Sequence, residues 1–462
     1  MTRAAVLTEG PIGRTLVGFS VPILLGNVLQ SLNGSINSVW VGHGLGEAAL
    51  AATSNANIVM FLLLGAIFGI AMAASILVGQ ELGAQRPHDA RRVVGTSATF
   101  FALVSVTVGV AGAIGCEWLL DAMRLPPQVL PLATSYLRIM FVTVPFLYLY
   151  QVIMALLRGA GDARTPFKFL VLSVGLDIVL NPILMFGVGP VPRFGIAGSA
   201  LATLIANVVA LVSLVLYLYR RHHPLCLRGA DLKLLRLDRS IVSPLVLKGV
   251  PIGLQMIVLS TSAVAMITLV NRFGQDAGAA YGAALQLWNY VQMPALAIGA
   301  AISAMVAQNF GARRTDRVRR TAHVGVAFSV MVTSSVVLLL LIFERPLLGL
   351  FLPRSSAAFA LAVHANRIAC SAFIGYGISM ALFSVVRATG TVVPPVLALF
   401  FSLWVVRFPF ALALEDRWGA DAIWWSFPLS GVISAVLAAL YYRYGGWRGG
   451  HLMLAPAAGG AD

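Results

Sequence analysis

The chain has 462 residues, of which 59% are hydrophobic and 11% are charged, against roughly 45–50% apolar and about 25% charged residues in soluble domains. This composition excludes an ordinary soluble fold and predicts an all-α membrane protein. The net charge of +15 would suit a nucleic-acid-binding face if it were gathered on one surface, but the basic residues fall in alternate loops, so nucleic acid is not an expected partner.

Twelve apolar segments are long enough to cross a bilayer, which needs about 20 residues. The first half of the chain carries six, at approximately 15–41, 50–80, 93–115, 132–157, 167–189 and 194–219. The second half carries six more, at approximately 245–270, 280–310, 321–343, 360–386, 393–414 and 421–442. The first segment has no small-residue cleavage site, so we expect a spanning helix there and not a removable signal peptide.

The two halves are copies of one another. VGQELGAQRPHDARR at 78–92 returns as VAQNFGARRTDRVRR at 306–320, and Pro22 in the first segment matches Pro251 in the seventh. An even number of spans in each copy predicts parallel repeats related by an axis along the membrane normal. We expect an N-lobe at 1–219, a basic cytoplasmic loop at 220–244 and a C-lobe at 245–462 that ends in a short cytoplasmic tail.

The positions of the 32 Lys and Arg residues predict how the chain crosses the membrane. Most of them fall at the termini and in the even-numbered loops. By the positive-inside rule, a multi-pass protein of the inner, or plasma, membrane with both termini in the cytoplasm is expected. The basic loops are also expected to attract anionic membrane lipid, each residue contributing about 1 kcal/mol near the surface.

Of the 17 carboxylates, only Asp177 is predicted to lie inside a span. It falls near the middle of the fifth segment, in VLSVGLDIVLNPILMFG, and Asn181 follows one helical turn later on the same face. A charge at that depth costs a few kcal/mol or more, and such residues usually face a cavity and mark an ion or proton pathway. Asp177 is therefore our candidate for cation or proton coupling, although an Asp that only bonds a neighbouring helix is the alternative.

Other polar residues inside the spans are candidates for a substrate pathway. The first segment carries a polar stripe that must face protein or water and that serves either helix contacts or a substrate wall. The eighth segment has a weaker counterpart of this stripe, and Arg407 is the clearest basic residue within a span. The candidates for the substrate cavity are Gln30, Asn33, Gln286, Asn289 and Arg407.

No sequence feature indicates an enzyme. The chain has no P-loop and no HExxH motif, and its three cysteines lie far apart without a metal-ligand spacing. We expect no metal site and no cofactor, and energy supplied by a proton or sodium gradient.

Several motifs together resemble the multidrug and toxic compound extrusion (MATE) family over nearly the whole chain. They are VGHGLGEAALAA after Pro22, VGQELGA at 78–84, LLRGAGDARTP at 156–166, LDIVLNP at 176–182, GIAGSALATLIAN at 195–207 and LQLWNYVQMPALAIGAAISAMVAQNFGA at 285–312. The resemblance implies a secondary antiporter that exports amphipathic, often cationic, compounds in exchange for protons or sodium by alternating access.

The coupling site departs from the family pattern. Relatives commonly have an Asp where this chain has Asn37, and an Asn followed by an Asp where this chain has Asp177 followed by Asn181. A single acid suits a proton better than a dehydrated sodium ion, although oxygens of Asn37, Asn181 and Thr203 are available as further ligands. The acids that some branches use in the seventh and tenth helices are absent.

The sequence therefore predicts a monomeric exporter of amphipathic small molecules. A lipid or lipid-linked oligosaccharide flippase of the same superfamily is the main alternative, and it would need a strongly basic central cavity, for which only Arg407 speaks. A membrane-embedded enzyme would need clustered His, Asp or Cys side chains inside the spans. A scaffold or sensor is disfavoured because no soluble domain is predicted to receive a signal.

Overall fold

The computed structural model describes residues 7–449, which consist of helices and connecting turns. Eleven of these helices are long and apolar enough to cross a membrane. The count within the described residues rises to twelve when two helices joined by a 43° bend, Ala357–Ala369 and Ala372–Ala388, are taken as one broken span. The prediction of an all-α membrane protein built from about twelve spans is confirmed.

The helices form two compact units. One contains Leu25–Gly249, and the other contains Leu7–Leu24 and the described residues from Val250 onward. The units thus divide inside the first helix of each sequence repeat, whereas the predicted lobes end between helices. Packing, and not chain order, decides which unit a segment joins. Pro22 and Pro251 lie beside the two divisions, where each interrupts the hydrogen bonding of its helix.

The first unit contains the second to sixth helices of the chain and a short 3-10 helix, Gly229–Leu234, in the loop that follows them. The helix α4 packs against three others, α2, α3 and α6, while α5 packs mainly against α6. The bounds are α1 Ile12–Leu45, of which the part from Leu25 belongs here, α2 Glu47–Gly83, α3 Pro87–Ala122, α4 Leu130–Gly159, α5 Arg164–Phe186 and α6 Ile196–Arg220.

The second unit repeats this packing with interruptions. The bounds are α7 Arg239–Val270, α8 Gln275–Gly311, α9 Thr315–Ile342, α10 Glu344–Leu348, α11 Ala357–Ala369, α12 Ala372–Ala388, α13 Val393–Phe400, α14 Phe408–Trp418 and α15 Asp421–Tyr444. As α4 does in the first unit, α12 packs against three helices, here α8, α9 and α15. A π-helical segment, Phe401–Arg407, joins α13 to α14. The sequence repeat is therefore also a repeat of helix packing.

The segment that precedes α1 is tied to the second unit by hydrogen bonds. The backbone N–H of Leu7 donates to Oε1 of Gln308 at 3.0 Å, and Nδ2 of Asn309 donates to the Leu7 carbonyl at 3.2 Å. Arg314 donates to the Thr8 carbonyl at 2.7 Å. Arg314, in the loop between α8 and α9, therefore binds the backbone of the N-terminal segment, a role that its loop position does not reveal.

In the first unit, the basic pair of α3 holds the loop that precedes α7. Arg91 pairs with Asp231 and Arg92 with Asp238, each at 2.6 Å. Hydrogen bonds from Ser240 and from Arg92 hold the pKa of the Asp238 carboxyl below its usual range. The loop is thus anchored by ion pairs that persist at neutral pH.

Two carboxylates besides Asp177 are buried, although both lie at helix ends, as the sequence predicts. Glu81 is 1% exposed in the last turn of α2, with Arg86 3.8 Å away. Glu344 is 3% exposed at the start of α10 and pairs with Arg367 at 2.7 Å. Their sequence positions at segment ends hid this burial, because neighbouring helices cover these ends.

A glycine sets the distance between α5 and α6. A Cβ atom at Gly198 would overlap the carbonyl oxygen of Leu184, so the two backbones are in direct contact at that point. Any side chain at this position must push α6 away from α5.

Gly198→Ala should therefore lower the melting temperature of the purified protein, because overpacking of this kind typically costs about 1–3 kcal/mol. Gly175→Ala is the matched control, since a Cβ there would meet nothing within 4 Å and alanine favours a helix interior. Thermal unfolding in detergent compares the two variants. Equal melting temperatures would contradict the close contact.

Candidate functional site

The carboxylate of Asp177 is held by side chains from two other helices of the first unit. Asp177 lies in α5 and is 4% exposed. Nδ2 of Asn33, from α1, donates to its Oδ2 at 2.8 Å, and Oγ1 of Thr203, from α6, donates to its Oδ1 at 3.0 Å. Each carboxylate oxygen thus accepts one bond from a neutral donor, and these bonds join three helices at one buried side chain.

A second layer of polar groups surrounds this cluster. Asn37, one turn beyond Asn33 on α1, accepts a hydrogen bond from Oγ of Ser199 at 2.9 Å. Tyr136 of α4 is 2% exposed and lies near Asn37 and Asp177. The helices α1, α4, α5 and α6 therefore all contribute polar side chains to one region of an otherwise apolar unit.

Asn181 contributes an unused acceptor. It is 1% exposed, and its Oδ1 has no hydrogen-bond partner within residues 7–449. It lies one helical turn after Asp177 on the same face of α5. Because a buried amide oxygen without a partner costs about 1–3 kcal/mol, this atom is suited to accept a proton donor or to face a cation.

The electrostatics of the site favour a switch between two protonation states. The two donors that bond the carboxylate are neutral, and no described ion pair includes Asp177, so its negative charge is not compensated by a cation. Protonation removes that charge and supplies one O–H donor. It also weakens the bonds from Asn33 and Thr203, because hydrogen bonds to an ionised acceptor are roughly twice as strong as neutral ones.

Of the four predicted coupling residues, Asp177, Thr203 and Asn37 lie in one network of hydrogen bonds, which runs through Ser199. Asn181 lies one helical turn after Asp177 on the same helix. The structure also places Asn33, which we predicted in the substrate cavity, directly on the carboxylate. Gln30 is exposed one turn earlier on α1. Asn33 therefore contacts the candidate coupling residue, and its assignment to the substrate cavity, like that of Gln30, stays a prediction.

The remaining predicted cavity residues belong to the second unit. Gln286 and Asn289 are exposed on α8, and Asn289 accepts a bond from Gln292 at 3.0 Å. Arg407 ends the π-helical segment and donates from Nε to Oγ of Ser430 at 2.9 Å. Their assignment to substrate binding stays a prediction.

Two residues of the cluster were missing from the sequence prediction. Ser199 could have been found, because it precedes Thr203 by four residues and so shares its helix face. Tyr136 carries no such signal, since no other residue of the cluster lies on its helix. Within the described residues, no three His, Cys, Asp or Glu side chains come together as metal ligands.

Comparisons with known proteins show which family this sequence matches. The MatE family model matches residues 22–183 and again 251–413, one match in each repeat. The chain is 34% identical over 435 residues to "Probable multidrug resistance protein YoeA" of Bacillus subtilis (strain 168), with 94% of each protein covered. It is 28% identical over 346 residues to "FAD transporter" of Shewanella oneidensis, with 75% of each covered.

Solved structures share the fold. "Crystal structure of MATE in the straight conformation" matches with a TM-score of 0.87 at 21% identity and covers 96% of this chain and 98% of its own. "Outward-facing conformation of a multidrug resistance MATE family transporter of the MOP superfamily" matches with a TM-score of 0.88 at 21% identity, over 96% and 97%. At these identities, the likeness concerns the fold.

The bond between Thr203 and Asp177 should appear as a coupling in a double-mutant cycle. In the wild-type background, Thr203→Val is expected to lower the free energy of unfolding by about 1–2 kcal/mol. In an Asp177→Leu background its effect should be much smaller, because the carboxylate that accepts the hydrogen bond of Thr203 is absent. The shift in melting temperature reports each effect.

Thr107→Val serves as the control for this cycle, because the hydroxyl of Thr107 bonds to the Leu103 carbonyl of its own helix. Its small effect should be the same in both backgrounds. An equal effect of Thr203→Val in both backgrounds would show that the hydroxyl and the carboxylate act independently.

Proposed function

This chain belongs to the MatE family of membrane transporters, and from that membership we propose that it is a secondary antiporter exporting amphipathic or cationic compounds in exchange for protons. Members of the family are transporters and not enzymes. The relatives named above include a multidrug resistance protein at 34% identity. Drugs and other xenobiotics are therefore the proposed substrates, and alternating access is the proposed mode of transport.

The observation that carries this proposal is the buried carboxylate of Asp177 bonded to two other helices. When a proton arrives from the outer side, Asp177 becomes neutral and its bonds to α1 and α6 weaken. The first unit then changes its packing, and bound substrate leaves outward. Loss of the proton to the cytoplasm restores both bonds and resets the transporter.

A proton suits this site better than sodium. A sodium ion would need several oxygen ligands, and the cluster offers one carboxylate, Oδ1 of Asn181, which has no partner among the described residues, and oxygens already engaged in hydrogen bonds. A proton needs only Asp177 itself and an acceptor such as Asn181. Sodium coupling is the alternative, and the gradient that drives transport distinguishes the two.

We place the protein in the inner, or plasma, membrane with both termini in the cytoplasm, acting as a monomer. The residues proposed to contact the substrate are Gln30, Asn33, Gln286, Asn289 and Arg407. A flippase for lipids or lipid-linked oligosaccharides is the second candidate, and the basic residue Arg407 within a span is the observation that favours it.

Substitution of Asp177 tests the coupling. Ethidium export measured in energised everted vesicles should be driven by an imposed proton gradient in the wild type. It should fall to the level of vesicles without the transporter in Asp177→Asn, which cannot exchange a proton. Asp276→Asn, an exposed carboxylate at the start of α8, should transport normally.

Three other outcomes would change the account. Transport driven by sodium alone would replace the proton as the coupling ion. Normal transport by Asp177→Asn would make Asp177 structural. If the wild type moves ethidium under neither gradient, drug export is wrong and lipid-linked substrates become the next candidates.

The proposed topology makes a separate prediction. In a Cys226→Ser background, a cysteine replacing Lys233, exposed in the loop between the repeats, should react with a membrane-impermeant maleimide in everted vesicles and not in right-side-out cells. A cysteine replacing Arg193, exposed between α5 and α6, should show the opposite pattern. Reaction of both positions from the same side would contradict the topology.

A further inference from the structure

The guanidinium group of Arg407 lies within a membrane span, Val393–Trp418, and has only neutral contacts. Its Nε donates to Ser430 at 2.9 Å, and its central carbon lies 4.3 Å from the centre of the Phe427 ring. Among residues 7–449 its two terminal amino groups have no hydrogen-bond partner, and no ion pair includes it. One edge of a planar cation is thus left without a partner.

Two other arginines in helices of the second unit have their terminal groups engaged. Arg367 pairs with the buried carboxylate of Glu344 at 2.7 Å. Arg387, 4% exposed, donates to Oε1 of Gln255 at 2.8 Å and to Oγ of Ser384 at 3.0 Å. Arg407 differs from these two arginines, because its terminal amino groups have no such partner among the described residues.

The backbone at Arg407 is also unusual. The seven residues Phe401–Arg407 form a π-helix, and Arg407 is its last residue. Such segments are rare and occur frequently at functional sites, because they aim a side chain where a regular α-helix would not. The bond to Ser430 and the stacked ring of Phe427 then fix the plane of the guanidinium.

An unpaired charge inside a membrane is costly, and intramembrane ionisable residues mark substrate and ion pathways. A guanidinium held by Nε and by its face keeps its two terminal amino groups in a fork that matches the two oxygens of a carboxylate or phosphate. The ligand group that fits this site is therefore a planar or tetrahedral anion.

We propose that Arg407 binds an anionic group, a carboxylate, phosphate or sulfonate, on the molecules that the protein transports. This inference rests on the proposed export function and refines its substrate class, from cationic amphipaths to amphipaths that also carry an acidic group. The same chemistry is found in a lipid headgroup phosphate, so the test below separates a solute from a lipid as its source.

Two dyes that differ only in this group provide the probe. Rhodamine 110 carries a free carboxylate, and rhodamine 123 is its methyl ester. Fluorescence anisotropy measures the binding of each dye to the full-length protein in phosphatidylcholine nanodiscs. The wild type should bind rhodamine 110 more tightly, and Arg407→Met should weaken that binding roughly tenfold or more while leaving rhodamine 123 unchanged.

Arg407→Lys keeps the charge and loses the fork, so its affinity for rhodamine 110 should fall between those of the wild type and Arg407→Met. Arg354→Met, which removes an exposed arginine of the same unit, should bind both dyes as the wild type does. Unchanged binding of rhodamine 123 also shows that each variant is folded.

The proposal is overturned if Arg407→Met weakens both dyes equally, if it weakens neither, or if the wild type does not prefer the free acid. Adding phosphatidylglycerol to the nanodiscs distinguishes the two sources. A lipid headgroup that occupies the site will compete with rhodamine 110 in the wild type and not in Arg407→Met, whereas a solute site will be insensitive. Because binding is measured without transport, these results stand apart from the success or failure of the export hypothesis.

Discussion

The burial of one carboxylate between three helices is the constraint on which the first unit depends. Asp177 is almost fully enclosed, and its charge is met only by the neutral side chains of Asn33 and Thr203 among the described residues. Such an arrangement stabilises the helix contacts while the group is ionised and loosens them when it is neutral. A single proton therefore has a direct mechanical consequence, since α1 and α6 are both attached to the group that titrates.

The duplication gives two units with the same helix packing and different chemistry. The fifth span of the first repeat carries an acid, Asp177, and the corresponding span of the second carries a base, Arg407. The acid is bonded on both oxygens by its own unit, whereas the base keeps two amino groups unpaired among the described residues. We interpret this difference as a division of labour, in which one unit handles the coupling proton and the other meets the substrate.

Hydrophobic segments and repeated motifs are sufficient to predict the spans, the duplication and the position of Asp177 inside a span, because each depends on composition along the chain. The partners of Asp177 depend on how neighbouring helices are rotated, and a polar stripe such as that of α1 does not say which member points at α5. For this reason the sequence does not predict the bond between Asn33 and the carboxylate. The burial of Glu81 has the same origin, since it arises from packing between helices.

Proton release on substrate binding is a direct test of the coupling role of Asp177. Ethidium is added to the purified protein in a weakly buffered detergent solution, and a pH indicator reports the protons that leave. We expect the wild type to release protons as it binds ethidium, and Asp177→Asn to bind ethidium and release none. Equal release by both proteins would show that another group carries the proton and would contradict the role given to Asp177.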